Sequence, residues 1–235
     1  MAERSNSSRD TNVGDESTSP YDESVRLYGL NEAQRCILSH VPSRSAVLEL
    51  GASSGYMTKE LVGAGCVVDA IEINREDAAK ASRYCRRIVV GSVEESESFG
   101  SLTGPYDVVL MADILEHLRF PESTLREARS RLTPTGQALV CLPNIGYYRM
   151  RMDLLKGRFT YADYGLLDRT HLRFYTLKSA IDLFAASGFS TVEVIVPPPR
   201  VPKWGKLKAW VKTTWPTLFA IQIIYRLKPL HPPVS

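Results

Sequence analysis

Two stretches of this 235-residue chain hold side chains that could do chemistry together. The first reads Asp113-Ile114-Leu115-Glu116-His117. If it forms a helical turn, Asp113, Glu116 and His117 fall on one face at spacings of three and four. Two carboxylates and an imidazole there can bind a divalent cation or bracket an acceptor hydroxyl whose proton must leave. Ordinary helix-start chemistry fits as well, with Asp113 as N-cap and Glu116 as its capping-box partner. The second stretch, Tyr164-Gly165-Leu166-Leu167-Asp168-Arg169-Thr170-His171, carries one of only four histidines.

A third stretch suits a ligand rather than bond chemistry. In Val47-Leu48-Glu49-Leu50-Gly51-Ala52-Ser53-Ser54-Gly55-Tyr56 an apolar run enters a small-residue turn and then a helical pattern. Backbone N–H groups in such a turn can approach a ligand closely, at the carboxyl edge where open α/β sheets bind cofactors. Glu72 ends the next apolar run and can accept hydrogen bonds from both hydroxyls of a ribose. A nicotinamide or flavin dinucleotide would ask for G-x-G-x-x-G; here the glycines are four apart and position 53 is Ser. Glu49 is a carboxylate that a pyrophosphate would repel and a cationic amino-acid group would welcome.

These residues need a sheet to hold them. Apolar runs at Ala46–Leu50, Cys66–Ile71, Ile88–Val90, Tyr106–Ala112 and Gln137–Leu142 alternate with helical patterns at Ser54–Ala64, Arg75–Tyr84 and Glu122–Leu132. Short buried runs separated by helices mark βαβ units in a parallel sheet covered on both faces. An amphipathic helix over Asn31–Val41 precedes them, and a helix over Thr176–Ala186 follows. Two last strands, Phe189–Val196 and Leu218–Arg226, are joined through a Pro-rich link, so the final one can lie antiparallel at or near the sheet edge.

The glycine loop, Glu72 and this order of elements together resemble class I S-adenosylmethionine-dependent methyltransferases, in the broad group that includes ubiquinone-pathway O-methyltransferases and small bacterial methyltransferases found with glycan-building enzymes. The likeness implies an α/β, Rossmann-like sheet of seven mostly parallel strands, the last antiparallel, with helices on both faces. It implies that the loop with Glu49, Gly51, Ala52, Ser53 and Gly55 holds the methionyl end of the donor. The strand end Glu72-Ile73-Asn74 would take the ribose, Gly91-Ser92-Val93 would flank the adenine, and Met111-Ala112-Asp113 would line the pocket. Two positions depart from the family pattern: Ser53 replaces the usual middle glycine, and Ser92 replaces a frequent acidic residue.

In a subset of the family the residues matching Asp113, Glu116, His117 and His171 form a metal site for an acceptor diol, as in enzymes that methylate small-RNA ends. Other relatives with the Glu-His pair bind no metal, so His117 or His171 as general base or acceptor anchor stands beside the metal reading. The resemblance implies methyl transfer, here to a hydroxyl of a small-molecule, sugar or glycan-linked acceptor. Two alternatives remain: action on RNA ends, and a cofactor-binding partner subunit with no transfer activity of its own. The insertion 143–175 holds five of the eleven tyrosines and reads as a lid that could stack on an acceptor ring.

Composition frames the rest. The chain is 44% hydrophobic with a formal net charge of +3, enough for one ordinary core and too little charge to mark a nucleic-acid binder. Residues 1–20 hold almost no apolar side chains and read as a disordered tail before one domain at 21–235. Cys36, Cys66, Cys85 and Cys141 form no framework spacing and read as reduced, buried thiols. With no signal peptide or spanning segment read, a cytoplasmic protein is expected. From Pro197 onward there are seven basic and no acidic residues, which leaves −4 on the remainder. The Lys- and Trp-rich part of segment 197–217 has the composition of an anchor to the anionic inner membrane face, or of a lid helix with solvated lysines.

Overall fold

A computed structural model describes Val25 and residues 27–197 and 215–230. The tail 1–20 and the Lys/Trp segment 203–212 lie outside the described residues. The alternating pattern folds as a single seven-stranded sheet. After helix α1 (Glu32–Leu38) come β1 (Ala46–Leu50), α2 (Tyr56–Gly63), β2 (Val67–Glu72), α3 (Arg75–Ala81), β3 (Arg87–Val90) and α4 (Ser96–Gly100). Then follow β4 (Tyr106–Ala112), α5 (Pro121–Ser130), β5 (Leu132–Pro143), α6 (Tyr148–Leu155), α7 (Leu177–Ala186), β6 (Phe189–Ile195), α8 (Pro216–Phe219) and β7 (Gln222–Pro229).

The strand order is β3-β2-β1-β4-β5-β7-β6. Pairs among β1 to β5 are parallel, and β7 runs antiparallel to both β5 and β6. The order in which strands are added reverses between β1 and β4, so their carboxyl ends flank a crevice open to a ligand. Because both faces are covered, alternate strand residues feed two cores. Leu48, Leu50 and Met111 pack on one face; Val47, Val68 and Leu110 pack on the other.

Several boundaries differ from the sequence pattern. β7 begins at Gln222 rather than Leu218, because Pro216 starts a short helical turn. β7 lies inside the sheet, and β6 takes the edge. β5 starts five residues early at Leu132, before an exposed, irregular stretch that shifts its register against β4. α4 has no apolar period to announce it. All four cysteines are free, but Cys36 and Cys85 are only half-buried. Beneath the sheet edge, buried Asp69 accepts both Arg86 and the Tyr106 hydroxyl; these bonds outweigh burial and hold its carboxyl below the usual range. Among the described residues no helix is long and apolar enough to cross a membrane.

Candidate active site

The loop after β1 is built by backbone conformations that few residues tolerate. Gly51 has φ of +76°, and a Cβ there would stand 2.8 Å from Ile114 Cδ1. Gly55 has φ of +83°, and its Cβ would stand 2.7 Å from the Ala81 Cα. Ser53, in place of the family glycine, also adopts a left-handed φ of +49°. Its amide donates to Glu72 Oε2 at 2.8 Å, while the Asn74 amide donates to Glu72 Oε1 at 2.8 Å. Glu72 therefore ties the loop to the end of β2 and keeps unused lone pairs for further donors. Beside it the Ile73 side chain is 71% exposed, an apolar plate at the sheet edge.

Other residues of the expected donor set sit differently. Asn74 spends its side-chain oxygen capping α3. Glu49 is buried under the loop and accepts from Thr58 Oγ1 at 2.6 Å. Burial pushes its carboxyl up to about 7, with the Glu72 charge adding and the Thr58 bond opposing. Met111, in β4, and Val93, in the turn after β3, are buried in the main core. Gly91 donates its amide to the Glu72 carbonyl, and Ser92 Oγ accepts from the Glu94 amide.

The second half of the site forms where β4 ends. Asp113 takes a left-handed φ of +53°, and the turn Leu115–His117 is 3₁₀ with no side-chain cap. The capping-box reading is therefore not realised. Instead Gln222 Nε2, at the start of β7, donates to both Asp113 oxygens at 2.7 and 2.8 Å. Burial pushes the Asp113 carboxyl up to about 6, against the Gln222 bond.

Glu116, His117 and His171 converge, with one potential donor atom from each within 4.8 Å of the others. The insertion reaches the turn through two amides, Leu172 N and Arg173 N, both donating to the Glu116 carbonyl. His117 Nδ1 lies 3.2 Å from the Thr170 carbonyl, and His171 Nδ1 lies 3.3 Å from the Leu166 carbonyl. A proton on each Nδ1 leaves each Nε2 as a lone pair. The rings meet edge to face at 4.8 Å. Burial lowers both imidazoles below their usual value, so both are neutral near pH 7. Glu116 is pushed well up by burial, then by the charges of Asp113 and Asp168. Its two carboxylate oxygens are buried without a hydrogen-bond partner.

Both halves open into one cavity of about 310 Å³. Gly51 and Ser53 of the loop, Ala112 at the end of β4, and Glu116, His117 and His171 all line it. Asp113 joins this lining, held by Gln222, and stands apart from the three-residue cluster. The sequence reading missed Asn31, Gln34, Tyr56 and Gln222, which also line the cavity. Asn31 and Gln34 form the capping box of α1, a signal visible as N-x-x-Q, and Gln222 is the lone polar residue in an apolar run. Of the insertion's tyrosines only Tyr164 lines the cavity, whereas Tyr175 is buried in the core.

A mixed sheet with this order and a tight loop after β1 define the class of S-adenosylmethionine-dependent methyltransferases. A family model described as a methyltransferase domain matches residues 30–194, and the chain belongs to that family. Among curated proteins, the mitochondrial ubiquinone biosynthesis O-methyltransferase of Saccharomyces cerevisiae is 26% identical over 110 residues, 44% of this chain. The aligned part spans 35% of that relative's length. A methyltransferase of the same donor class from Thermotoga maritima superposes with a TM-score of 0.62 at 15% identity, covering 88% of this chain and 93% of that one. The magnesium protoporphyrin IX methyltransferase of Synechocystis, solved with S-adenosylhomocysteine, gives 0.58 at 13% identity, covering 91% and 89%.

Proposed function

We propose that this methyltransferase moves the methyl group of S-adenosylmethionine to a hydroxyl oxygen of a small-molecule, sugar or glycan-linked acceptor. The observation that carries this reading is the shared cavity, which Gly51 and Ser53 of the donor loop line together with Glu116, His117 and His171. The sulfonium already activates the methyl group, so the protein has mainly to align the acceptor behind it and exclude water. The loop from Gly51 to Gly55 holds the methionyl end, Glu72 takes the ribose hydroxyls and the exposed Ile73 plate covers the adenine. A hydroxyl with a pKa far above 7 must lose its proton as the new bond forms. A neutral imidazole with a free Nε2, as at His117 or His171, can accept it.

The donor set also fits a divalent cation. Glu116 offers two buried oxygens with no partner, and both histidines have Nδ1 pinned to a carbonyl so that Nε2 is left as a ligand. Glu116, His117 and His171 would hold the ion, with Asp113 kept out by Gln222. When bound, such an ion supplies Lewis-acid binding of an acceptor oxygen and lowers its pKa. The residues' own task is unchanged: they fix the acceptor oxygen against the methyl group.

The test is methyl transfer from labelled donor to a panel of phenols, sugars, vicinal diols, carboxylates and amines. Label on a hydroxyl acceptor is the expected result. His171→Ala should lower kcat by about 100-fold while donor affinity in calorimetry stays within about threefold. Label confined to amines or carboxylates, or equal losses in kcat and donor binding, would overturn the reading.

A further inference from the structure

The helix α6 touches the domain mainly at its first turn, where Tyr148 meets Phe219 at 5.3 Å. Of its eight residues only Met150 is buried. Met152 and Leu154 are exposed, Leu155 is 81% exposed, and residues 154–165 form an unbroken exposed run that includes Phe159 and Tyr161. One or two apolar side chains on a surface need no explanation, but five within ten residues do. The span 148–164 carries Arg149, Arg151, Lys156 and Arg158 against Asp153 and Asp163, a balance of +2, and Asp163 is paired with Arg169 outside it. Arg151 reaches the Gly146 carbonyl and Arg149 the Tyr148 hydroxyl, so neither is neutralised by a carboxylate in these bonds.

This surface is continuous with the active site. Tyr161 packs edge to face on Phe159 at 5.5 Å, Phe159 on Phe174 at 5.6 Å and Phe174 on His171 at 6.2 Å. A row of rings thus runs from exposed Tyr161 to the cluster, and 71%-exposed Tyr164 lines the cavity. Apolar side chains flanked by cations, on a short helix and the loop leading from it to the cavity-lining Tyr164, have the chemistry of an interfacial membrane anchor.

We infer that α6 and the loop to Tyr164 dock the enzyme on an anionic bilayer surface. Met152, Leu154, Leu155 and Phe159 enter the headgroup boundary, while Arg149, Lys156 and Arg158 meet anionic headgroups. The docked enzyme turns its cavity toward the bilayer, which deepens the proposed hydroxyl acceptor to one carried on a lipid or presented at a lipid surface. That last step rests on the proposed function, whereas the docking itself does not. The proposed surface is formed by 148–164, a different stretch of sequence from the lysines of 203–212.

Vesicle co-sedimentation of the full chain tests this without any methyl transfer. With phosphatidylglycerol:phosphatidylcholine 1:1 vesicles, binding at least about tenfold stronger than to pure phosphatidylcholine is expected, weakening in high salt. Leu154→Glu/Leu155→Glu should reduce it about tenfold or more with unchanged thermal midpoint and donor affinity. Exchange of Lys203, Lys206, Lys208 and Lys212 for Gln should leave that dependence on Leu154 and Leu155 in place. The docking inference is overturned if the Glu variant binds as wild type, if the Lys variant alone abolishes binding, or if the exposed leucines are covered by a second copy. The last outcome would be seen as a dimer in light scattering that Leu154→Glu/Leu155→Glu dissociates. If docking succeeds and methyl transfer to every hydroxyl fails, only the acceptor reading is lost.

Discussion

His171 Nε2 lies 4.0 Å from Glu116 Oε1, yet neither oxygen of that buried carboxylate accepts a hydrogen bond. The two groups are not an ion pair, because burial lowers the imidazole and raises the carboxyl, so the uncharged forms of both are favoured. Leaving a buried carboxyl unpaired is costly, and a divalent cation bound by Glu116, His117 and His171 would remove that cost. Mass-spectrometric metal analysis after dialysis against Zn²⁺, Mn²⁺ or Mg²⁺ should find about one ion per chain. His171→Ala and Glu116→Ala should each weaken that binding at least about tenfold. Full occupancy in both variants would place the ion elsewhere.

Glu72 holds the loop and the end of β2 together through the amides of Ser53 and Asn74, and the donor ribose is proposed to use its remaining lone pairs. Glu72→Gln replaces one acceptor oxygen with a donor and so sets an N–H group against one of two amides. S-adenosylmethionine affinity should fall at least about tenfold, roughly 1.4 kcal/mol. Unchanged affinity in calorimetry would mean that the ribose binds elsewhere. Gly55→Ala tests the loop itself: at φ +83° and 2.7 Å from a backbone Cα, it should destabilise by more than about 1 kcal/mol in denaturant unfolding.

How much of this could be read from the residues varies with the range of the interaction. The βαβ rhythm and the loop are local patterns, so β1 to β4 and the turn at Gly51 were legible to within two residues or fewer. The Glu116, His117 and His171 grouping was legible as residue types, since few histidines exist and two fall near sheet ends. Its geometry was not, because the Glu116–His171 contact joins residues 55 apart, with amides of the insertion tying the two segments together. The capping-box reading of Asp113 failed for the same reason. A capping box is a three-residue rule, and the partner that displaced it, Gln222, lies 109 residues away on a strand inserted between β5 and β6.

Glu49 makes stability depend on pH in a direction opposite to most carboxylates. Its folded-state pKa, about 7, lies above the ordinary value, so the native state holds the proton longer than the unfolded chain. The associated stability is present below the unfolded carboxyl pKa and is lost as pH rises through about 7. Glu49→Gln keeps an acceptor for Thr58 and removes the titration. Between pH 5 and pH 8 the wild type should lose on the order of 3 kcal/mol relative to the variant in urea unfolding. Parallel profiles would show that Glu49 ionises normally.

Gln222 gives the most specific prediction, because it acts on Asp113 through a single amide. Burial raises Asp113 to about 6, and the bonds from Gln222 Nε2, followed by a smaller contribution from Cys141, restrain that rise. Gln222→Leu removes the larger part of that restraint in a site that stays buried, so Asp113 should keep its proton to higher pH. If ionised Asp113 is needed where it lines the cavity, the acid limb of kcat/KM should move about one unit toward alkaline pH and activity should recover by pH 9. Asp113→Asn should abolish that recovery, and adding Gln222→Leu to it should shift the limb no further. An acid limb that stays in place in Gln222→Leu would leave the Gln222 to Asp113 link a purely structural clasp between β4 and β7.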